Sequence, residues 1–210
     1  MKKSNAYELQ AVLRTDFQAF FERVFMTLNP TETYLDNWAQ QVVAHHLNLC
    51  AERKITRLLI LISPRSSKSL MASVAFPAYL FGRDPSTKVI TASYSQDLST
   101  KFSNYTRSII KSDWFKQLFP HTVISQYKDT QSDFETTKHG VRYATSVEGA
   151  LTGLGADFII IDDPLKANEA NSESARKKLL SGSATRSGQG LTIQSTASSL
   201  LSCNVSMLMT

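Results

Sequence analysis

The sequence predicts an α/β protein, a parallel sheet with helices on both faces. Three observations carry this. The runs at Lys54 to Ile62, Lys88 to Tyr94 and Asp157 to Ile161 are near-continuously apolar over most of their length, as strands buried on both faces are. Stretches of helical spacing separate them, which is the pattern of strand-helix-strand units. Two of the runs end abruptly in chemistry: Leu58-Leu-Ile-Leu-Ile62 opens into Ser63-Pro-Arg-Ser-Ser-Lys-Ser69, and Phe158-Ile-Ile-Ile161 ends in Asp162-Asp163.

The elements follow in order. Residues 6–27 form one expected amphipathic helix, with Leu9, Val12, Leu13, Phe17, Phe20, Phe21, Val24 and Phe25 at helical spacing. Asn29-Pro30-Thr31 breaks it. A second helix is expected from Asn37 to Cys50. The strand at 54–62 leads through the polar turn into a helix from Lys68 to Phe81, which Gly82-Arg-Asp-Pro85 ends. After the strand at 88–94 comes a helix from Gln96 to Lys111, and Trp114, Phe115, Leu118 and Phe119 extend its apolar surface. Residues 121–147 read as β-rich connecting structure with a turn at Lys138-His-Gly140. Leu151-Thr-Gly-Leu-Gly-Ala156 is a glycine-bearing loop before the last strand.

The two polar strand ends suggest a nucleoside-triphosphate site. A strand opening directly into a helix gathers backbone N–H groups and the positive end of the helix dipole at one point, where phosphate binds. Pro64 sets the turn, and Ser66 and Ser67 line it. Lys68 would place a charge on the β- and γ-phosphates, and the Ser69 hydroxyl would ligate Mg²⁺. Arg65 could approach the γ-phosphate as an arginine finger. The loop departs from G-x-x-x-x-G-K-[ST], because Ile62 and Ser67 stand where both glycines belong. An ordinary strand-turn-helix with an outstretched lysine is the competing reading of this segment alone. Asp162 and Asp163 add weight to the nucleotide reading, since carboxylates at the end of a buried strand are costly unless compensated. Mg²⁺ held through Asp162 would compensate, and Asp163 would orient or deprotonate an attacking water. Trp38 and Gln40 precede the first strand, where a ring and an amide can clasp adenine; core packing is the other reading of Trp38.

Composition narrows the class. At 42% hydrophobic and 20% charged, the chain reads as soluble and globular, and no apolar run approaches a membrane span. There is no apolar signal core behind Lys2 and Lys3. Cys50 and Cys203 show no metal or disulfide spacing, which fits a reducing compartment. A net charge of +5 permits contact with nucleic acid without requiring it.

A longer series of blocks carries a family resemblance. Ser63 to Ser69, Phe76-Pro-Ala-Tyr-Leu-Phe-Gly-Arg83, Thr91-Ala-Ser-Tyr-Ser95, Phe134-Glu-Thr-Thr137, Ala144-Thr-Ser-Val147 and Leu151 to Pro164 together resemble the large terminase subunit of tailed bacteriophages, over roughly residues 15–178. The resemblance implies a RecA-like P-loop ATPase that uses ATP and Mg²⁺ to drive double-stranded viral DNA into a procapsid, in the cytoplasm of a bacterial host. It implies a portal protein and a small terminase subunit as partners, and no membrane. By position it assigns Lys68 and Ser69 to the phosphate loop, Asp162 to the metal carboxylate, Asp163 to the catalytic acid, Arg65 to the loop arginine, and Trp38 and Gln40 to the adenine side.

The resemblance divides the chain into an N-terminal helical, adenine-side segment (1–50), an ATPase core (51–178) and a tail (179–210). The tail is serine-rich, with Arg186 its one charged residue, and does not resemble the family's next strand. One shifted reading frame across codons 191–209 can encode a terminase-like strand and coupling segment. The expectation is therefore a frameshift near residues 178–181, an out-of-frame and poorly ordered tail, a sheet incomplete at its C-terminus, and no nuclease domain. A decayed prophage fragment that retains at most nucleotide binding is the alternative reading.

Overall fold

The computed structural model describes residues 2–63, 65–147, 149, 155–165 and 204–209. Pro64, residues 151–154 of the glycine-bearing loop and residues 166–203 lie outside the described residues.

The chain is a mixed α/β protein. Helices α1 (Lys2–Thr15), α2 (Phe17–Leu28) and α3 (Trp38–Ala51) precede strand β1 (Arg57–Leu61). A π-helix (Leu70–Ala75) runs directly into α4 (Phe76–Arg83), followed by β2 (Lys88–Ser93), α5 (Gln96–Lys111) and α6 (Asp113–Leu118). Strands β3 (Ile124–Asp129), β4 (Asp133–Thr136), β5 (Val141–Ser146), β6 (Phe158–Asp162) and β7 (Asn204–Met209) complete the described elements.

Three expectations change. The single helix over 6–27 is two, because Asp16 leaves helical geometry and its carboxylate accepts from the Ala19 N–H at 3.1 Å, starting α2. The helix expected from 68 to 81 begins as a π-helix. Pro77 explains this: its ring cannot donate to the Ser73 carbonyl four residues back and crowds that carbonyl. The Phe76 N–H accordingly reaches five residues back, to Met71.

The sheet is the third change. Among the described residues it has seven strands in the order β1-β7-β6-β2-β5-β4-β3, and it is mixed. β2 runs parallel to β6, as expected, and also to β5, which the sequence placed only within β-rich connecting structure. β3, β4 and β5 form an antiparallel meander, because turns as short as Lys138-His-Gly140 can join strands only that way. Gly140 is needed there: a Cβ would fall 2.2 Å from the Pro85 carbonyl oxygen. The position beside β6, expected to be an uncovered edge, holds β7, antiparallel to both β1 and β6. The backbone groups facing each other across β1 and β6 need partners, and the Val-Ser-Met-Leu run of β7 supplies them.

Packing ties the helices to this sheet. Phe17, Phe20, Phe76, Phe81, Phe115 and Tyr79 are fully buried. Phe17 meets Phe76 edge-on at 5.7 Å, and Phe76 meets Phe158 of β6 at 5.8 Å. Such pairs add about 0.5–1.5 kcal/mol each beyond their buried area. This chain of rings runs from α2 through α4 into β6, so the helix behind the polar loop is anchored to the strand that carries Asp162.

Candidate functional site

β2, β5 and β6 end together. Ser93 lies in register with Ser146 on one side and with Asp162 on the other. Beyond the strand ends, the Tyr94 N–H donates to the Asp163 carbonyl at 3.1 Å and the Val147 N–H to that of Ser93 at 2.9 Å. In open α/β sheets, ligands bind at this carboxyl edge.

The loop after β1 meets this edge. The Lys68 side chain is 5% exposed, and its ammonium donates to Asp163 Oδ1 at 2.7 Å. It lies 3.7 Å from Asp162 Oδ1. Two segments 95 positions apart in sequence therefore converge on one cation and two carboxylates. Ser69 has helical dihedrals and leads into the π-helix.

The loop backbone is unusual. Arg65 has φ 64° and Ser67 φ 61°, both in the left-handed region that favours glycine. Ser67 is the position where the phosphate-loop pattern calls for glycine, so the backbone keeps that conformation although the residue differs. Left-handed residues are half of the alternating pattern from which anion nests are built. Asp163 also has a positive φ, 45°. It turns the chain sharply after β6 and leaves its carboxylate facing Lys68.

Asp162 is fully buried. Its Oδ2 accepts from the Ser73 hydroxyl at 2.9 Å, whereas its Oδ1 is buried with no hydrogen bond. Burial pushes its carboxyl above the usual range, with the adjacent Asp163 charge adding to the rise; the nearby Ser69 hydroxyl, Lys68 and Ser73 pull it back. The Ser66 hydroxyl in the loop is likewise buried and unpartnered. Two orphaned polar atoms, one on each converging segment, are what a site built around a bound polar group shows.

Gln40 and Trp38 sit at the start of α3, which Asn37 caps by accepting from the Gln40 N–H at 3.0 Å. Gln40 is buried, and its amide reaches the Ser66 carbonyl at 3.5 Å while accepting from the Tyr34 hydroxyl at 3.1 Å. Gln18 donates to Tyr34 in turn, at 2.7 Å. Burial, and then the charge of Asp36, raise the Tyr34 hydroxyl to about 12, so it stays a neutral donor. Trp38 is not in the core: it is 77% exposed. Arg65 is exposed as well. Thus Lys68, Ser69, Asp162, Asp163 and, through Ser66, Gln40 come together, while Trp38 and Arg65 stand at the surface. Pro64 lies outside the described residues. Ser73 and Tyr34 escaped the sequence reading. The signal for Ser73 was present, since it falls four residues after Ser69 on a helical stretch and so on the same face.

A family model described as terminase large subunit, T4likevirus-type, N-terminal, matches residues 59–202. The chain belongs to this family. The match begins inside β1 and takes in Lys68, Asp162 and Asp163. It continues past 178, so it includes residues 179–202, which the sequence reading set apart as non-homologous. A search of curated proteins gave no match. As a terminase large-subunit N-terminal region, the chain has a role in phage DNA packaging, and the family in general meets DNA and portal or small-subunit partners. Among the described residues, no helix is long and apolar enough to cross a membrane.

Proposed function

We propose that this chain is the ATPase motor part of a phage terminase large subunit, built on a RecA-like P-loop sheet and hydrolysing ATP to drive viral DNA into procapsids. One observation carries the reading: Lys68 meets Asp163 and Asp162 across the sheet edge, beside a buried carboxylate oxygen that has no hydrogen bond.

The residues fit Mg²⁺. Asp162 Oδ1 is a hard oxygen donor left unpartnered, and the Ser69 hydroxyl adjoins the same carboxylate. Asp162 and Ser69 would hold the ion, which when bound supplies charge neutralisation at phosphate oxygens. The left-handed turns at Arg65 and Ser67 would present backbone N–H groups to phosphate, and Ser66 adds a hydroxyl. Lys68 would exchange Asp163 for a phosphate oxygen. That exchange frees the Asp163 carboxylate to accept a hydrogen bond from the attacking water and then its proton. Arg65, exposed on the same loop, would stabilise charge on the terminal phosphate. Gln40 holds the loop from behind, and the exposed ring of Trp38 is available to stack on adenine.

The test is ATP turnover by the whole chain against Lys68→Ala. Loss of turnover below a hundredth of wild type is expected, because the substitution removes a buried cation placed to meet the phosphates. A variant that hydrolyses ATP at the wild-type rate would refute the site. A second reading, nucleotide binding without turnover, is favoured by Ser67, whose side chain occupies a position that usually holds none. Tight Mg²⁺-dependent nucleotide binding with no phosphate release in the wild type would select it.

A further inference from the structure

Arg142 stands on β5 and is fully buried, an uncommon place for a guanidinium. It makes one hydrogen bond, from Nη2 to the Ser73 carbonyl at 2.8 Å. Its Nε and Nη1 are buried without a partner. Burial lowers it to about 9, with Asp133 acting the other way. A group this costly to bury calls for a reason.

The reason lies in what Ser73 does. In a regular α-helix its carbonyl would accept from residue 77, but residue 77 is proline and has no N–H. The π-helix opens at this point, and side chains from the sheet and from α5 donate to its carbonyls. Arg142 takes that of Ser73, and the Thr106 hydroxyl takes that of Val74 at 3.2 Å. The Ser73 hydroxyl, on the other end of the same residue, holds Asp162 Oδ2 at 2.9 Å. Arg142, Ser73 and Asp162 form one continuous hydrogen-bonded line, and all three are fully buried. With Oδ2 fixed by Ser73, Oδ1 is left turned toward Lys68 and free of hydrogen bonds.

We propose that Arg142 and Ser73 are positioning residues for the nucleotide site: Arg142 fixes the π-turn, and Ser73 thereby orients Asp162 so that Oδ1 faces the metal position. This rests on the reading of Asp162 as a metal carboxylate. Arg142 acts through geometry: its hydrogen bond goes to the Ser73 carbonyl and not to Asp162 or Lys68. The π-turn then ties the carboxylate's orientation to β5 across the sheet. Groups that orient a metal's ligands typically change metal affinity by roughly 10–100-fold when removed.

The experiment titrates Mg²⁺ into the whole chain with a fluorescent ATP analogue and reads the apparent Mg²⁺ affinity, with turnover and thermal midpoint measured in parallel. Ser73→Ala removes one small hydroxyl and leaves the backbone intact, so it serves if Arg142→Met does not fold. Expected are a Mg²⁺ affinity at least about tenfold weaker in Ser73→Ala and in Arg142→Met, and partial recovery in Arg142→Lys, which can still donate to the Ser73 carbonyl. Nucleotide binding without Mg²⁺ should change less than twofold. If Ser73→Ala and Arg142→Met lower only the thermal midpoint and keep the wild-type Mg²⁺ affinity, the two residues are structural and the inference is wrong. If the wild type itself shows no Mg²⁺-dependent nucleotide binding, the site reading fails and takes this inference with it.

Discussion

Ser67→Gly should stabilise this protein, although it removes atoms from a half-buried side chain. Ser67 holds φ 61°, where an L residue carries a cost of about 1–2 kcal/mol from its Cβ. Glycine escapes that cost but loses about 0.5–1 kcal/mol to the greater freedom of the unfolded chain. The net gain is about 0.5–1 kcal/mol. The hydrogen bond from the Met71 N–H to the Ser67 carbonyl, 2.9 Å, is a backbone contact and survives the change. For a chain of 210 residues, a gain of that size raises the thermal midpoint by about 1–4 °C. Ser67→Ala is the matched control, because it removes the hydroxyl and keeps the strained Cβ. Thermal and urea unfolding of the three proteins separates the terms. Glycine should exceed alanine by about 0.5–1 kcal/mol at unchanged urea slope. A Ser67→Gly protein no more stable than Ser67→Ala would show that the loop is not held in the left-handed region, and the resemblance to a phosphate nest would lose its geometric support.

Three further outcomes follow from particular contacts. Asp162→Asn should raise the thermal midpoint at pH 7 while abolishing ATP turnover. Burial raises the folded-state carboxyl above its unfolded value near 3.9, so the wild type loses stability as pH rises through that window; the variant's advantage should be small at pH 4 and grow toward pH 7 in parallel melts, and an advantage constant with pH would contradict the assignment. Asp129→Asn should act in the opposite sense. Burial raises this carboxyl, but Lys111 and Arg107 outweigh it and hold it below its ordinary value, so its contribution is present above the unfolded value and lost as pH falls through the folded one. The loss at pH 7 should be under about 1 kcal/mol and shrink in high salt, because these groups are partly exposed. Gln40→Ala should cost about 1 kcal/mol in urea unfolding and weaken binding of the fluorescent nucleotide, since it removes the nearer acceptor of the Tyr34 hydroxyl and frees the Ser66 carbonyl; equal nucleotide affinity would separate α3 from the site.

Much of the site was legible because its chemistry is local. Lys68-Ser69 and Asp162-Asp163 each lie at the end of an apolar run, and a parallel sheet brings such ends to one edge. The α/β class was legible for the same reason. The sheet's mixed character was not. β3 to β5 form an antiparallel meander whose strands are short and half polar, so their direction is set by the turns and by Gly140 against Pro85. The place of β7 between β1 and β6 depends on pairing across more than forty residues, which local pattern does not encode. Pro77 was visible within the expected helix, yet its consequence was not. A proline four residues after a serine frees a carbonyl only if something is there to receive it, and that something, Arg142, comes from a distant strand. For Trp38 sequence left two readings open, because an aromatic at a helix start looks the same whether it packs inward or stands exposed; its exposure removes the core-packing one.

Several unfavourable features of this structure meet at the candidate site, although Arg53 and His139 also have left-handed backbone and Gln18, Thr91 and Asn104 also carry unpartnered atoms. Left-handed backbone at Arg65, Ser67 and Asp163, an orphaned hydroxyl at Ser66, an orphaned oxygen on Asp162 and the partly satisfied Arg142 all lie on the loop after β1, the end of β6 or one contact away through Ser73. Strain and unmet hydrogen bonds of this kind persist only where the surrounding fold over-determines them. Here the aromatic chain from Phe17 through Phe76 to Phe158 supplies that restraint, holding the helix behind the loop against β6. A ligand carrying phosphate and a cation would satisfy the orphaned hydroxyl and the orphaned oxygen together. Such a ligand should stabilise the fold in proportion to the logarithm of its concentration above its dissociation constant, by about 2.7 kcal/mol at a hundredfold excess. That makes the thermal midpoint of the unaltered chain, with and without Mg²⁺ and ATP, a direct gauge of the site. A midpoint that Mg²⁺ and ATP leave unmoved, in a protein that melts cooperatively, would mean that the strain serves something other than nucleotide.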